Sequence, residues 1–600
     1  MTPSPGRSPG ATARFRHLLS ALVLYAVLVT FLTWPLVPGA ARELPDTARA
    51  CRFDSLLVTW ALAHQSRAIV SAPEQYFEAG IYHPTPSALL YGEAAFGGLP
   101  YFFPVFAASG NPTLAINFTF IVSVILAAFA LHYVLFTWTG SFLGGFVAGW
   151  TFLMTRWVLW SWAPCAPNYA ILVYFPLVIL LAERPVRRLT DSLRLGGLVF
   201  LQGLSSVYVA ASVLAPLALL GLGRWIARRG HEHGGRLFVT TLFAALALAA
   251  VYGSYLIVSP ANPELSRQSV WAFFSPVTRL PWAFFERSRP TAIPVAALAL
   301  IAAGTVAFLL GRGTPGHGDR RRHWGHAAFW FAMGVVLSLD PVVRWGEQTI
   351  WLPQRVLELT TPLYDIIRLP YRLGIGALVG GSLLAGLAFV ELSRRAPART
   401  VAQRAFAGVL LLIFAGGMYA EYAWGFGAPP VRGLRALPRS YPRQPAVDGS
   451  SPLVPILRET KGALLEFPIR MANERPASPP QTRAMYRSIF HRRPLVMGYS
   501  GYWPAGYLDT VDLARRVPDP VAVETLRREA GLGTILLHVP TLSASEKGRW
   551  MPIVEAGGSP SLRLLGRDEA GSILFAVGPP ADEPGSSSGT PAADRRAPAG

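Results

Sequence analysis

The long polar stretch from Pro38 to Pro112 carries the residues best suited to chemistry: Glu43, Asp46, Asp54, Tyr82, His83 and Glu93. A carboxylate near a membrane surface can act as general base toward an acceptor hydroxyl, provided its ionised form survives partial burial. Asp54 has the position for that role, at the head of the helix-like run DSLLVTWALAHQSRAIV. The same position suits a helix cap, since Asp accepts hydrogen bonds from the free N–H groups of a first turn, and type and position alone favour capping. Cys51 and Cys165 are the only cysteines, so no C-x-x-C or Cys/His zinc spacing exists. No P-loop or dinucleotide fingerprint is present either.

The elements that must hold these residues are membrane helices. The chain is 52% hydrophobic and 15% charged, too apolar for a soluble protein of its size. Apolar runs long enough to span a bilayer recur at Leu18–Val37, Thr113–Phe136, Leu237–Val258, Thr291–Leu310 and Ala405–Trp424. The formal charge of +20 would suit nucleic acid if it formed one face or a tail, but the arginines fall in short loops between apolar runs, which fits the excess of basic residues in cytoplasmic loops. Residues 7–17, 183–194, 224–236, 312–326 and 394–404 are therefore expected inside. The first run is longer than a signal-peptide core and lacks a small-residue cleavage pattern, so it reads as a retained anchor.

Threading these constraints predicts about 11 crossings. Residues 194–226 have cytoplasmic-type charge at both ends and are expected to form two short helices turning at Ser205 and Ser206. No fixed-period repeat is visible. After Trp424, short apolar runs (ALLEFPI, TILLHV, SILFAV) alternate with polar and helical stretches, the pattern of a small α/β domain with a helix near Pro520 to Gly531. The expected organisation is a cytoplasmic N-terminus over 1–17, a transmembrane domain over 18–424 with the outside loop 38–112, an extracytoplasmic α/β domain over 425–578, and a disordered Pro/Gly/Ser/Ala-rich tail over 579–600. Both cysteines then lie outside, where a disulfide can persist; such a bond would tie the first loop to the turn after the third span and draw Asp54 toward Arg156.

The stretches FDSLLVTWAL, IYHPTPSALLYGE, NPTLAINF, LQGLSSVY and DIIRLPYRLGIGAL, with GALLEFPI, MYRSIFHRRPLVMGYSGYWP and TILLHVP beyond them, resemble a group of bacterial multi-span proteins classed with the GT-C glycosyltransferases, over nearly the whole chain. The resemblance implies a GT-C-like fold in the bacterial inner membrane. It also implies transfer of a sugar from a polyprenyl-phosphate donor to a glycan, lipid or protein acceptor outside. Asp54 becomes the base candidate. Glu93 matches a position where the group has an acidic residue that could place the acceptor or help bind a divalent cation, Mg or Mn; a helix-capping role explains it equally well.

A departing lipid phosphate gains negative charge and needs a cation. Arg368 and Arg372, flanking Pro370 at a span's start, are the first candidates, against simple anchoring at the headgroups. Arg156, inside the third span near its outer end, is another, against snorkelling to the interface. Tyr499, Tyr502 and Trp503 beside a basic cluster could stack on a glycan, or could be ordinary core and rim. Relatives often carry a His after the third span, where this chain has Pro167 and Asn168; neither His64 nor His83 can be assumed to replace it. That departure keeps open a non-catalytic protein that binds lipid-linked glycan or a partner. A transporter ranks last, because the span centres hold few polar residues.

Overall fold

The computed structural model describes residues 11–93, 95–227, 231–258, 291–311, 317–345, 348–365, 367, 369–395, 400–425, 441–447, 449–472 and 475–578. The expected tail at 579–600 lies outside them. The chain forms two compact units that exchange segments: residues 1–79, 87–447 and 499–505 belong to the first, and 80–86, 448–498 and 506–600 to the second.

The first unit is a helical bundle. Among its described residues six helices are long and apolar enough to cross a bilayer: Thr12–Leu32, Pro112–Thr139, Val207–Ile226, His233–Tyr255, Pro370–Ser393 and Val401–Glu421. Phe142–Leu153 and Arg156–Cys165, bent by 47° at their junction, form a seventh span if taken together, and Pro167–Glu183 and Val295–Leu310 are shorter apolar helices. With Leu189–Gly203 and His317–Leu337, a helix stands at every crossing expected from the sequence. The chain is thus a multi-pass membrane protein. Between Leu189–Gly203 and Val207–Ile226 the chain turns at Leu204 to Ser206, where Ser206 Oγ accepts the Tyr208 N–H at 3.2 Å. The second of these helices has 20 residues, more than a short helix, because its charge-free run continues past Pro216 as far as Gly223.

Local sequence fixes the helix ends. Asn111 accepts the Leu114 N–H at 2.9 Å, Pro112 occupies the first turn, and Gly140 at φ +69° ends the helix. Ile375–Ser393 lies at the centre of the bundle, buried along almost its whole length. Small residues let its neighbours come close: a Cβ on Gly334 would strike the backbone at Ala377, and one on Gly304 would strike Ala388.

The second unit holds a five-stranded sheet in the spatial order Ala463–Phe467, Leu532–His538, Ser572–Val577, Leu562–Arg567, Gly558–Ser559. The first two strands run parallel and the rest antiparallel. A parallel pair needs a long crossover, and this one carries the helices Ser478–His491, Tyr507–Arg516 and Pro520–Glu529. The last is the helix expected after Pro520, capped by Asp519, whose carboxylate accepts the Val521 N–H at 3.1 Å. The Gly80–Pro86 segment joins this unit through backbone bonds, His83 N–H to Leu495 O at 2.9 Å and Leu495 N–H to Gly80 O at 2.8 Å.

Across the strand ends lies a polar network. Arg487 pairs with Glu466, while His538 bonds Glu466 Oε2 at 3.1 Å and Ser572 Oγ at 3.0 Å. Burial alone would raise the Glu466 carboxyl, but the Arg487 charge and His538 outweigh it and hold it far below the usual carboxylate range. Burial pushes His491 down to about 4.

Candidate active site

Asp54 is the first residue of the helix Asp54–Ser71, with Phe53 at the cap position. A carboxylate there is favoured by the positive end of the helix dipole. The chain leading into it is braced from several sides. Arg52 makes a two-point pair with Asp46 at 2.9 and 3.0 Å, and Ser55 Oγ donates to Cys51 O at 2.5 Å. Strand Glu43–Pro45 pairs with Arg443–Pro445, and Glu43 meets Arg443 at 2.8 Å. Cys51 is bonded to Cys165, so the start of the Asp54 helix is tied to the segment 162–170, against which that helix also packs. On another side the ring of Tyr499 stands edge-on to Phe53 at 5.9 Å, and the Tyr502 N–H donates to Tyr91 O at 2.9 Å. The GYSGYWP segment thereby borders both Asp54 and the Glu93 loop.

Glu93 and Arg372 meet through a residue to which the sequence reading assigned no role. Tyr169 OH donates to Glu93 Oε2 at 3.1 Å and accepts from Arg372 Nη1 at 2.8 Å. Glu93 Oε1 accepts from Ser206 Oγ and, at 3.1 Å, from the Val207 N–H. Glu93 thus caps the helix Val207–Ile226 while its other oxygen holds Tyr169. Arg372, in the turn Pro370–Gly374 that opens the central span, lies over the rings of Trp162 at 3.9 Å, Tyr208 at 4.8 Å and Tyr169 at 5.3 Å. Among the described residues no carboxylate pairs with it directly, and its Nε is buried without a hydrogen-bond partner.

Arg156 opens the short helix Arg156–Trp160, half-buried, just after the bend in its span. Arg368 lies outside the described residues. Asn168 stands in the turn Pro167–Ala170, its Oδ1 buried without a partner. Of the linking residues, Ser206 and Tyr208 had a trace in the sequence, since both lie in LQGLSSVY, whereas Trp162 and Tyr169 had none.

Among the described residues no three His, Cys, Asp or Glu side chains gather as a metal site. Glu93 Oε1 accepts two protein hydrogen bonds and Oε2 accepts one.

No family model and no curated protein matches the sequence. Among solved structures the chain is similar to ArnT from Cupriavidus metallidurans in the apo state, with 13% identity over 94% of this chain and 100% of that one, at a TM-score of 0.47. It is also similar to the archaeal oligosaccharyltransferase AglB from Archaeoglobus fulgidus in complex with an inhibitory peptide and a dolichol-phosphate, with 13% identity over 96% of this chain and 76% of that one, at a TM-score of 0.38.

Proposed function

We propose that the protein is an inverting membrane glycosyltransferase that moves a sugar from a polyprenyl-phosphate carrier to a hydroxyl of an extracytoplasmic acceptor. The observation that carries this reading is Arg372, a guanidinium caged by three rings, with a buried Nε–H to which no described residue bonds. A buried cation is costly until an anion completes it, and a phosphate at the membrane interface can do so through paired bonds. The arginine-rich loops set the orientation, with the Asp54 and Glu93 end outside.

In the proposed step the acceptor oxygen forms a bond to the sugar's anomeric carbon while its proton passes to Asp54. The bond from that carbon to the phosphate oxygen breaks, and its electron pair leaves with the polyprenyl phosphate. Arg372, with Arg368 and Arg156 as further candidates, offsets the charge that builds there. Glu93 positions Tyr169 and through it Arg372, and Tyr499, Tyr502 and Trp503 border the acceptor. The test is donor binding: Arg372→Gln should weaken retention of a radiolabelled polyprenyl-phosphate sugar at least tenfold, the effect of losing one charge-assisted pair. Unchanged retention would remove Arg372 from the donor site.

A second reading, a non-catalytic protein that binds lipid-linked glycan, is favoured by the turn after the third span, where Pro167 and Asn168 stand nearest the place at which the resembled group often carries a His. Donor binding without turnover across many acceptors and cations would select it.

A further inference from the structure

Away from the Asp54 site, the helices Leu189–Gly203 and His231–Val258 lie side by side and run in the same direction. A Cβ on Gly196 would sit 3.5 Å from Thr240, and Tyr252 OH donates to Gly203 O at 3.0 Å. Along their seam runs a groove of about 800 Å³. One end is polar, formed by Ser192, Trp225 and Arg236; the other is apolar, formed by Phe200, Phe243 and Ala247. Gly196 and Gly197 line it between the ends, and a Cβ on Gly197 would meet nothing within 4 Å, so the glycines leave the floor open.

Length and charge together define what fits. At 1.5 Å per residue, Leu189 to Phe200 spans roughly 16 Å, close to the ~15 Å hydrocarbon depth of a single leaflet. Arg236 donates to the Arg187 carbonyl, which holds its guanidinium at the rim. Arg187, Arg188 and Arg194 are exposed at the same end, and the nearby Asp191 carboxylate is engaged by the Arg187 and Arg188 N–H groups at 3.1 and 2.9 Å. Basic residues at the headgroup level attract anionic lipid, and the apolar remainder of the groove suits an acyl chain.

We infer that this groove binds an anionic diacyl phospholipid from the leaflet bordering the arginine-rich loops, with the phosphate at Arg236, Ser192 and Trp225 and an acyl chain over Gly196 and Gly197. The site does not depend on the transferase reading. A lipid confined to one leaflet matches the groove's length, whereas a polyprenyl chain would overrun it.

Native mass spectrometry of the full-length protein, delipidated and then titrated with phosphatidylglycerol or phosphatidylcholine of equal chain length, tests this. Phosphatidylglycerol should be retained about five- to tenfold more tightly, as expected for one or two interfacial arginines. Arg236→Ala should remove most of that preference, and Arg236→Lys should restore part of it. Gly197→Phe should fill the groove and reduce retention of both lipids. Gly223→Phe, at an open position outside the groove, should change neither. Equal retention of the two lipids by the wild type would overturn the anionic site, and wild-type retention by both Arg236→Ala and Gly197→Phe would place the lipid elsewhere.

Discussion

Removing one oxygen atom, with Tyr169→Phe, tests the link between Glu93 and Arg372. The hydroxyl is a donor to Glu93 Oε2 at 3.1 Å and an acceptor from Arg372 Nη1 at 2.8 Å. The Phe ring keeps the contact with the guanidinium and the edge-on packing against Trp157 at 5.8 Å, so the change isolates the two hydrogen bonds. Bonds to charged groups contribute about 1.5–3 kcal/mol each. The Glu93 oxygen can turn to water while Arg372 Nη1 is left within its cage, so the net loss should be about 2–4 kcal/mol rather than the full sum. The assay is unfolding of the purified protein in mixed micelles, as a double-mutant cycle with Glu93→Gln. The two substitutions touch one network, so their effects should fall short of additivity by about 1–2 kcal/mol. Wild-type stability for Tyr169→Phe, together with strict additivity in the cycle, would refute the relay.

Four further outcomes follow from the titrating groups, the disulfide and the packing. His491 stays neutral when folded, with its pKa at about 4, while the unfolded chain takes up a proton near pH 6.5; its contribution is complete above pH 6.5 and is lost as pH falls toward 4, by about 3 kcal/mol. Thermal unfolding of the sheet-containing unit should show that decline, flattened in His491→Gln; an unchanged slope would mean that His491 does not titrate as inferred. Glu466, held low, adds stability that is present above its unfolded pKa near 4.3 and is lost only in stronger acid. Reduction of the Cys51–Cys165 bond, which closes a separation of 114 residues, should cost about 2 kcal/mol, less than the ~5 kcal/mol of a free chain because the helices inside the loop stay in the bilayer; a melting temperature insensitive to reductant would contradict this. Gly304→Val drives a side chain into Ala388 and should destabilise by about 3 kcal/mol or more, whereas Gly253→Ala, where an added Cβ meets nothing, should be nearly neutral in the same melts.

The bundle was legible because its helices are written locally. The run expected over Thr113–Phe136 lies within the helix Pro112–Thr139, which Asn111 and Gly140 bound, and the turn expected at Ser205 and Ser206 separates two helices. The relay was not legible, because Glu93, Tyr169, Ser206 and Arg372 come from four separate parts of the chain, and no local pattern states which helix ends share a corner. Nothing local sets Tyr169 and Tyr208 apart from other aromatic residues until Arg372 is placed over them. The exchange of segments was hidden for the same reason: Gly80–Pro86 joins the second unit through backbone bonds to Leu495, which carry no side-chain signature. Arg372 was weighed as a headgroup anchor, since residues before a span usually face the interface, and only the rings of Trp162, Tyr169 and Tyr208 turn it into a caged cation.

In the proposed transfer from a polyprenyl-phosphate sugar, Asp54 takes the acceptor proton. The most direct measurement is binding and turnover of radiolabelled polyprenyl-phosphate sugars by the purified protein in lipid nanodiscs, wild type against Asp54→Asn. The variant should bind donor as the wild type does and lose transfer by about a hundredfold or more, the usual size of a general-base contribution. Full transfer by Asp54→Asn would contradict it.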